Sequence, residues 1–369
     1  MTIDFDAVRD VLTDALLAQL GEEVDLIFQY GSLLKGNTHR YSDMDISYVP
    51  VHESTGEAIT VLVADILFDL YPLCWSRLAQ MAEFRDMSGT ILAHSRIVYA
   101  RTPQAARRFE ELAERLRHLQ TPAARPAMLR LAHELFQKTG YDYYLLRTQV
   151  AKGHFLSSMR HGQQIVDTVL HSLAACNQRS IDTRKLPEVL TLPRLPEGLV
   201  ETIGQVNEAA TPEALLIACE RLLDTTRDLL LAEQQAVHRT QATYPEVLRA
   251  AYPELKADLQ RVLIACERQD RYLLNSKLLS FYHELAVHIS IASRGVEYSG
   301  FNTLAEYEPD FEVLGFPALL PLAVAGDFAE LHRQCLVFDE HLRRFLVEHG
   351  VALNVFTSLD ELREFLAAA

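Results

Sequence analysis

Asp43 and Asp45 stand one residue apart in a stretch, Asp43 to Val49, that alternates polar with apolar side chains. Alternation of that kind marks a half-buried strand, in which residues i and i+2 point to the same face. The two carboxylates are then side by side, and each raises the pKa of the other. A hard cation removes the conflict. Mg²⁺ in particular binds through one or two carboxylates together with substrate phosphates. The pair therefore reads as half of a metal–phosphate site. The other half precedes it: Gly31 and Ser32 follow the apolar run Val24 to Tyr30 and lead into Leu33-Leu34-Lys35, which reads as a helical turn. Backbone N–H groups at such a turn can hold phosphate oxygens, a glycine lets the chain approach closely, and the Ser32 hydroxyl adds a donor. The competing reading is an exposed strand edge with both aspartates solvated. Tyr30, Ile46 and Val49 around them weigh against it.

The elements that must position these residues follow from periodicity. Phe5 to Leu20 carries apolar residues at helical spacing and closes on Gly21. Val24 to Tyr30 and Asp43 to Val49 read as strands, Glu57 to Ala64 as a helix, Phe68 to Cys74 as a third strand and Ile97 to Tyr99 as a fourth. Pro72 places the third strand at an edge or near its end. Helix and strand alternate over this region, as in a small α/β unit. Beyond Pro103 helical periods dominate: Ala105 to Leu119, Ala127 to Lys138, Tyr141 to Ser157, Gln163 to Cys176, Pro212 to Glu233, Pro253 to Gln269, Tyr272 to Ala292 and Asp327 to His349. A Pro- and Leu-rich loop, Leu186 to Leu199, interrupts them. Ser358 and Glu361 form a capping box at the start of a last helix. "LLIACER" at Leu215 and "VLIACER" at Val262 are either a duplicated helical unit or a coincidence between two amphipathic helices.

At 369 residues the chain is long for one core, which points to two or three domains. A net charge of -15 argues against a long nucleic-acid track, since phosphate neutralisation needs clustered Lys and Arg. It leaves room for one nucleotide held by a metal. The most apolar segment, Leu314 to Gly326, is too short for a membrane span and contains Pro317 and Pro321. The N-terminus lacks a basic region before an apolar one, so no signal peptide is expected. Cys74, Cys176, Cys219, Cys266 and Cys335 are odd in number and widely spaced, and form no CxxC. Free core thiols in a reducing cytoplasm fit that pattern.

The order of strand, Gly31-Ser32, ten residues, then Asp43-x-Asp45 on the next strand resembles the DNA polymerase beta-like nucleotidyltransferase superfamily. Within it, "FQYGSLLKGNTHRYSDMDISYV" is most similar to the small-molecule branch, such as the aminoglycoside and lincosamide nucleotidyltransferases. The resemblance covers about residues 20–100. It implies an α+β fold: a small mixed-sheet nucleotidyltransferase domain, expected at 1–102, followed by all-α helical bundle domains, expected at 103–240 and 241–369. It implies a third carboxylate on a following strand. Asp69 in "ILFDLYPLCW" matches; Asp65 competes but reads better as the end of the preceding helix. It also implies two Mg²⁺ ions held by Asp43, Asp45 and Asp69, a triphosphate anchored by Gly31 and Ser32, and transfer of a nucleoside monophosphate, AMP from ATP or its equivalent from another NTP, to a hydroxyl of a small molecule such as an antibiotic.

Lys35, His39 and Arg40 lie between the motif halves, where they either reach the triphosphate or form a solvated loop. Arg101, Arg107, Arg108, Arg115, Arg117, Arg125 and Arg130 outnumber the acids between 101 and 130. They either aim at phosphates or line solvated helix faces. The resemblance further implies an acceptor-activating carboxylate in the helical region, which Glu134, with Lys138 at i+4, could supply; a surface ion pair has the same spacing. Two other functions remain in view. One is a protein-modifying, antitoxin-type transferase that attaches AMP to a side chain; the fusion of helical domains to the transferase slightly favours a self-contained enzyme instead. The other is a regulator that binds nucleotide without chemistry, against which the presence of all three carboxylates speaks.

Overall fold

The computed structural model describes residues 4–31, 33–34, 44–52, 56–64, 66–237, 242–295 and 308–368. Two compact units make up the chain, residues 1–230 and 231–369.

The first unit opens with α1 (Phe5–Leu20), capped by the Asp4 side chain, which accepts from the backbone N–H groups of Asp6 and Ala7. Then come β1 (Val24–Tyr30), β2 (Met44–Pro50), β3 (Ile59–Val63) and β4 (Ile66–Pro72), followed by α2 (Trp75–Ala82), α3 (Gly89–Ala93) and β5 (Arg96–Ala100). Among the described residues these strands form one five-stranded sheet in the order β3-β4-β2-β1-β5. β2 and β4 run parallel; the other neighbours are antiparallel. The sheet is thus mixed, and helices follow it, so the fold is α+β.

Side chains alternate between two chemically different faces. Ile27, Met44, Ile46, Tyr48, Phe68 and Leu70 form one face and pack with Leu16 of α1 in a core whose members are buried. Phe5, Val8, Leu12, Leu17 and Leu20 complete the apolar stripe of α1 on that side. Burying each such large side chain contributes roughly 1.5–3 kcal/mol, so the back of the sheet is where this region gets its stability. The opposite face carries Thr60, Asp69, Asp45 and Tyr30.

One element departs from the sequence reading. Glu57 to Ala64 is not a helix: Ile59–Val63 is strand β3, paired antiparallel to β4. Its exposure alternates residue by residue, and Ile, Thr and Val are β-branched, which favours a pleated surface over a helix. Asp65 follows this strand and lies outside the described residues; the helix that it was expected to end does not exist.

The helices of the first unit are α4 (Pro103–Leu119), α5 (Arg125–Gln137), α6 (Thr139–Ala151), α7 (Phe155–Cys176), α8 (Leu186–Val189), α9 (Leu199–Asn207) and α10 (Pro212–Val237), the last of which runs on into the second unit. The period expected over Tyr141 to Ser157 is broken between α6 and α7, where Gly153 takes a φ of 70°. The second unit contains α11 (Tyr244–Val247), α12 (Ala251–Arg268), α13 (Arg271–Arg294), α14 (Glu308–Val313), α15 (Leu319–Ala325), α16 (Phe328–Glu348) and α17 (Leu359–Ala368). It has its own core, in which Phe281, Tyr282, Phe316 and Phe338 meet at ring distances of 4.8 to 6.1 Å. At α17 the expected box is offset: the Ser358 hydroxyl accepts from the Glu361 N–H, but the Glu361 carboxylate reaches back to Thr357. The five cysteines are free thiols. Among the described residues no helix is long and apolar enough to cross a membrane.

Candidate functional site

The site is built on the register of four adjacent strands. Thr60 pairs with Asp69, Asp69 with Asp45, and Asp45 with Tyr30. Directly paired residues share a face, so these four side chains form a row across β3, β4, β2 and β1. Neighbouring strands are about 4.8 Å apart. Two ionised carboxylates at roughly that separation repel by about 3 kcal/mol at an effective dielectric of about 20. Both aspartates are half-buried. Hard oxygen donors in register are a suitable set for a divalent cation with oxygen preference.

Each carboxylate is also held. The Thr60 hydroxyl donates to Asp69 Oδ1 at 2.9 Å. Asp45 lies against the turn that follows β1. Gly31 there has a φ of 95°, a conformation that side chains disfavour. A Cβ at Gly31 would stand 2.2 Å from Asp45 Oδ2 and 3.2 Å from its Cγ. Gly31 is therefore required twice, by backbone conformation and by the approach of the Asp45 carboxylate. Its sequence reading, a close approach of phosphate, concerned a ligand; the structure shows that a side chain of the same site already uses the space.

Tyr30 ends the row. Burial pushes its hydroxyl pKa up to about 12, with Ser47 and Arg77 opposing and the Asp45 and Asp69 charges adding to the shift. At neutral pH it is a hydrogen-bond donor rather than a base. Further along the same face Phe28 packs on Phe109 of α4, with ring centroids 4.8 Å apart. On the other side the face is open: Leu62 is 70% exposed, and Leu67 and Tyr71 are exposed as well.

Asp45 and Asp69 are paired across β2 and β4, and Gly31 lies against Asp45. Asp43, Ser32, Lys35, His39 and Arg40 lie outside the described residues. Among the described residues, which do not include Asp43, no group of three or more metal-ligating side chains converges. Glu134 sits on α5 and accepts from Arg85 Nη1 at 3.1 Å, with more than half of its side chain exposed. Several of the basic residues that follow β5 have structural partners. Arg101 grips Asp25, Arg108 lies over the Trp75 ring at 4.4 Å, Arg115 pairs with Glu83 at 2.8 Å, and Arg125 donates to the Cys176 carbonyl.

Residues that the sequence reading misses are Thr60, Tyr30, Arg77 and Arg184. Thr60 is hidden by the mistaken helix. Arg77 on α2 donates from Nε to Asp86 Oδ2 at 2.9 Å and interacts with the Tyr71 hydroxyl. Arg184, in the connection after α7, donates from Nε and Nη2 to the two Asp182 oxygens at 2.9 and 3.2 Å. Its charged form is favoured by Asp182 first and further by Asp45 and Tyr30. Nothing local in the sequence marks either arginine.

No family model matches the chain, and no curated protein matches it. Among solved structures, the chain is similar to a nucleotidyltransferase-like protein from Exiguobacterium sibiricum 255-15, with a TM-score of 0.35 and 14% identity, over 71% of this chain and 91% of that one.

Proposed function

We propose that the Thr60–Asp69–Asp45–Tyr30 face is the centre of a nucleotidyltransferase that moves a nucleoside monophosphate, AMP from ATP, onto a hydroxyl of a small molecule. The observation that carries this reading is the direct pairing of Asp45 with Asp69 on parallel strands, with the Gly31 turn pressed against Asp45. Adjacent carboxylates without a cation are an electrostatic liability, and a glycine turn beside them supplies N–H groups for phosphate.

Asp45 and Asp69 would hold magnesium, with Asp43 as the expected third ligand. Bound there, the metal supplies charge neutralisation at the phosphates and acidifies the attacking hydroxyl. In the transfer, the acceptor oxygen forms a bond to the α-phosphorus and the bond to the bridging oxygen breaks. Pyrophosphate leaves with that electron pair, and Asp69 would take the hydroxyl proton. Thr60 fixes the plane of the Asp69 carboxylate, so that its orientation does not have to be found during reaction. Gly31 and Ser32 anchor the triphosphate.

The test is mass spectrometry of the purified full chain incubated with each of the four ribonucleoside triphosphates, Mg²⁺ and a panel of hydroxyl-bearing small molecules, including aminoglycosides and lincosamides. A small molecule heavier by one nucleoside monophosphate supports the reading. A protein adduct of one AMP would replace it with the side-chain-modifying reading, and turnover-free nucleotide binding would reduce it to a regulator.

A further inference from the structure

A hollow of about 340 Å³ opens on the side of the sheet away from the carboxylate row. It lies between the end of α1, the turn Gly21–Glu23, the end of β2 and the segment that leads into β3. Leu16, Leu20, Tyr48 and Ile59 give it an apolar lining continuous with the core behind the sheet. Its polar lining comes from Gln19, Glu23 and Glu57. Among the described residues that line it there is no lysine, arginine or histidine.

The backbone that carries the two acids is fastened to β2 and the residue after it. The Val51 N–H donates to the Glu23 carbonyl at 2.8 Å, and the Tyr48 hydroxyl donates to the Glu57 carbonyl at 3.0 Å. Beside Glu57, Gly56 is pressed so closely to the sheet that an added Cβ would stand 2.8 Å from both Pro72 Cβ and Tyr48 Oη. Fixed backbone, rather than loose side chains, therefore frames the hollow. Protein interiors are close-packed, and an unfilled apolar space forfeits the dispersion contacts of its lining. Small-molecule sites begin at about this volume and combine an apolar lining with a few polar groups. Two like charges brought to one apolar surface favour a cation between or beside them. A hard metal ion fits poorly, because it wants a cage of oxygens, and among the described residues no three metal-ligating side chains converge. An organic cation satisfies both parts of the lining.

We infer that this hollow is a second binding site, separate from the carboxylate row, and that it takes a small organic cation. The ammonium group is attracted by Glu23 and Glu57, and the apolar body rests on Leu16, Leu20 and Ile59. The inference does not depend on the nucleotidyl-transfer reading, since no residue of the Thr60–Asp69–Asp45–Tyr30 row lines the hollow.

Saturation-transfer NMR titrations on the full chain test this with three probes of one shape: phenethylammonium, phenethyl alcohol and phenylacetate. The parent should bind the ammonium, bind the alcohol about tenfold more weakly and bind the carboxylate most weakly. Glu23→Gln and Glu57→Gln should each weaken ammonium binding, and the double variant should erase the preference for ammonium over alcohol. Gln19→Trp puts an indole into the hollow from an exposed position on α1, so it should remove binding of all three probes while a thermal melt shows the chain still folded. Asp45→Asn and saturating MgATP act on the opposite face and should leave ammonium affinity at the parental value. The inference is overturned if the parent binds none of the probes or does not distinguish ammonium from carboxylate. It is equally overturned if the double variant and Gln19→Trp bind like the parent, or if Asp45→Asn or MgATP abolishes ammonium binding, which would place the cation at the carboxylate row instead.

Discussion

Replacing Gly31 with alanine should damage the site far more than the fold. The backbone cost comes from φ, which is 95° at this position. Holding a non-glycine residue in such a region costs about 1–3 kcal/mol. For a cooperative unit of this size that corresponds to a fall in Tm of roughly 2–12 °C. The steric cost is of another kind. The new Cβ would sit 2.2 Å from Asp45 Oδ2, 3.2 Å from Cγ and 3.3 Å from Cβ of the same residue. A terminal carboxylate can swing away cheaply, so little further stability is lost. In swinging, however, Asp45 leaves its register with Asp69. A displaced ligand of this kind costs at least as much as a lost outer-shell partner, so metal-dependent nucleotide binding should fall by about 10- to 100-fold. Gly56→Ala is the matched control. Gly56 has a φ of 150°, and its added Cβ would meet Pro72 Cβ and Tyr48 Oη, both at 2.8 Å, on the α1 side of the sheet. It should lower Tm and leave the affinity of the folded protein unchanged. Thermal melts and MgATP titrations of both variants decide the matter. Parental MgATP affinity in Gly31→Ala would refute the reasoning, because Asp45 would then not need the place in which it is seen.

Further expectations follow from single contacts. Thr60→Val removes the hydroxyl that orients Asp69 and should weaken Mg²⁺-dependent binding by about tenfold with little change in Tm, while Thr60→Ser restores it. His171 is kept below the ordinary imidazole range by burial, aided by Lys138 and opposed by the Phe84 carbonyl and Asp86. The unfolded chain then binds more protons, so stability is full above an unfolded pKa of about 6.5 and declines as pH falls from there through the depressed folded value. His171→Gln should flatten that decline in denaturant titrations run between about pH 7 and pH 5. Of the five thiols, Cys74 is part-exposed and the others are buried, with Cys219 and Cys335 pushed up to about 12 by burial. A thiol-labelling assay on the native protein should therefore modify one cysteine quickly, and Cys74→Ser should abolish that phase.

How much of this is legible without the structure depends on whether a residue's role is set by its neighbours in sequence. α1, β1 and β2 are readable because Phe5–Leu20 has a strict helical period, β1 is an apolar run ending before Gly31, and β2 alternates polar with apolar residues up to Pro50. Asp69 is readable because it interrupts Phe68 and Leu70, and the structure places it beside Asp45. β3 is misread because five residues carry too few periods to separate a helix from a strand, and the β-branched content of Ile59-Thr60-Val61 is the signal that should decide it. With β3 goes Thr60. The α6–α7 break is missed because the apolar period runs on across Gly153. Arg77 and Arg184 pair with Asp86 and Asp182, and no local pattern announces either as part of a site. Glu134 shows the converse: its i, i+4 relation to Lys138 is visible, but its partner in the structure is Arg85, 49 positions away.

The central claim is that Asp45 and Asp69 jointly hold a cation that carries nucleotide phosphate. Titrating ATP into the parent chain and into Asp45→Asn by calorimetry, each with and without Mg²⁺, tests it most directly. The account predicts Mg²⁺-dependent binding in the parent and its loss in Asp45→Asn, with the variant still folded by thermal melt. Equal, Mg²⁺-independent affinity in the two proteins would contradict it.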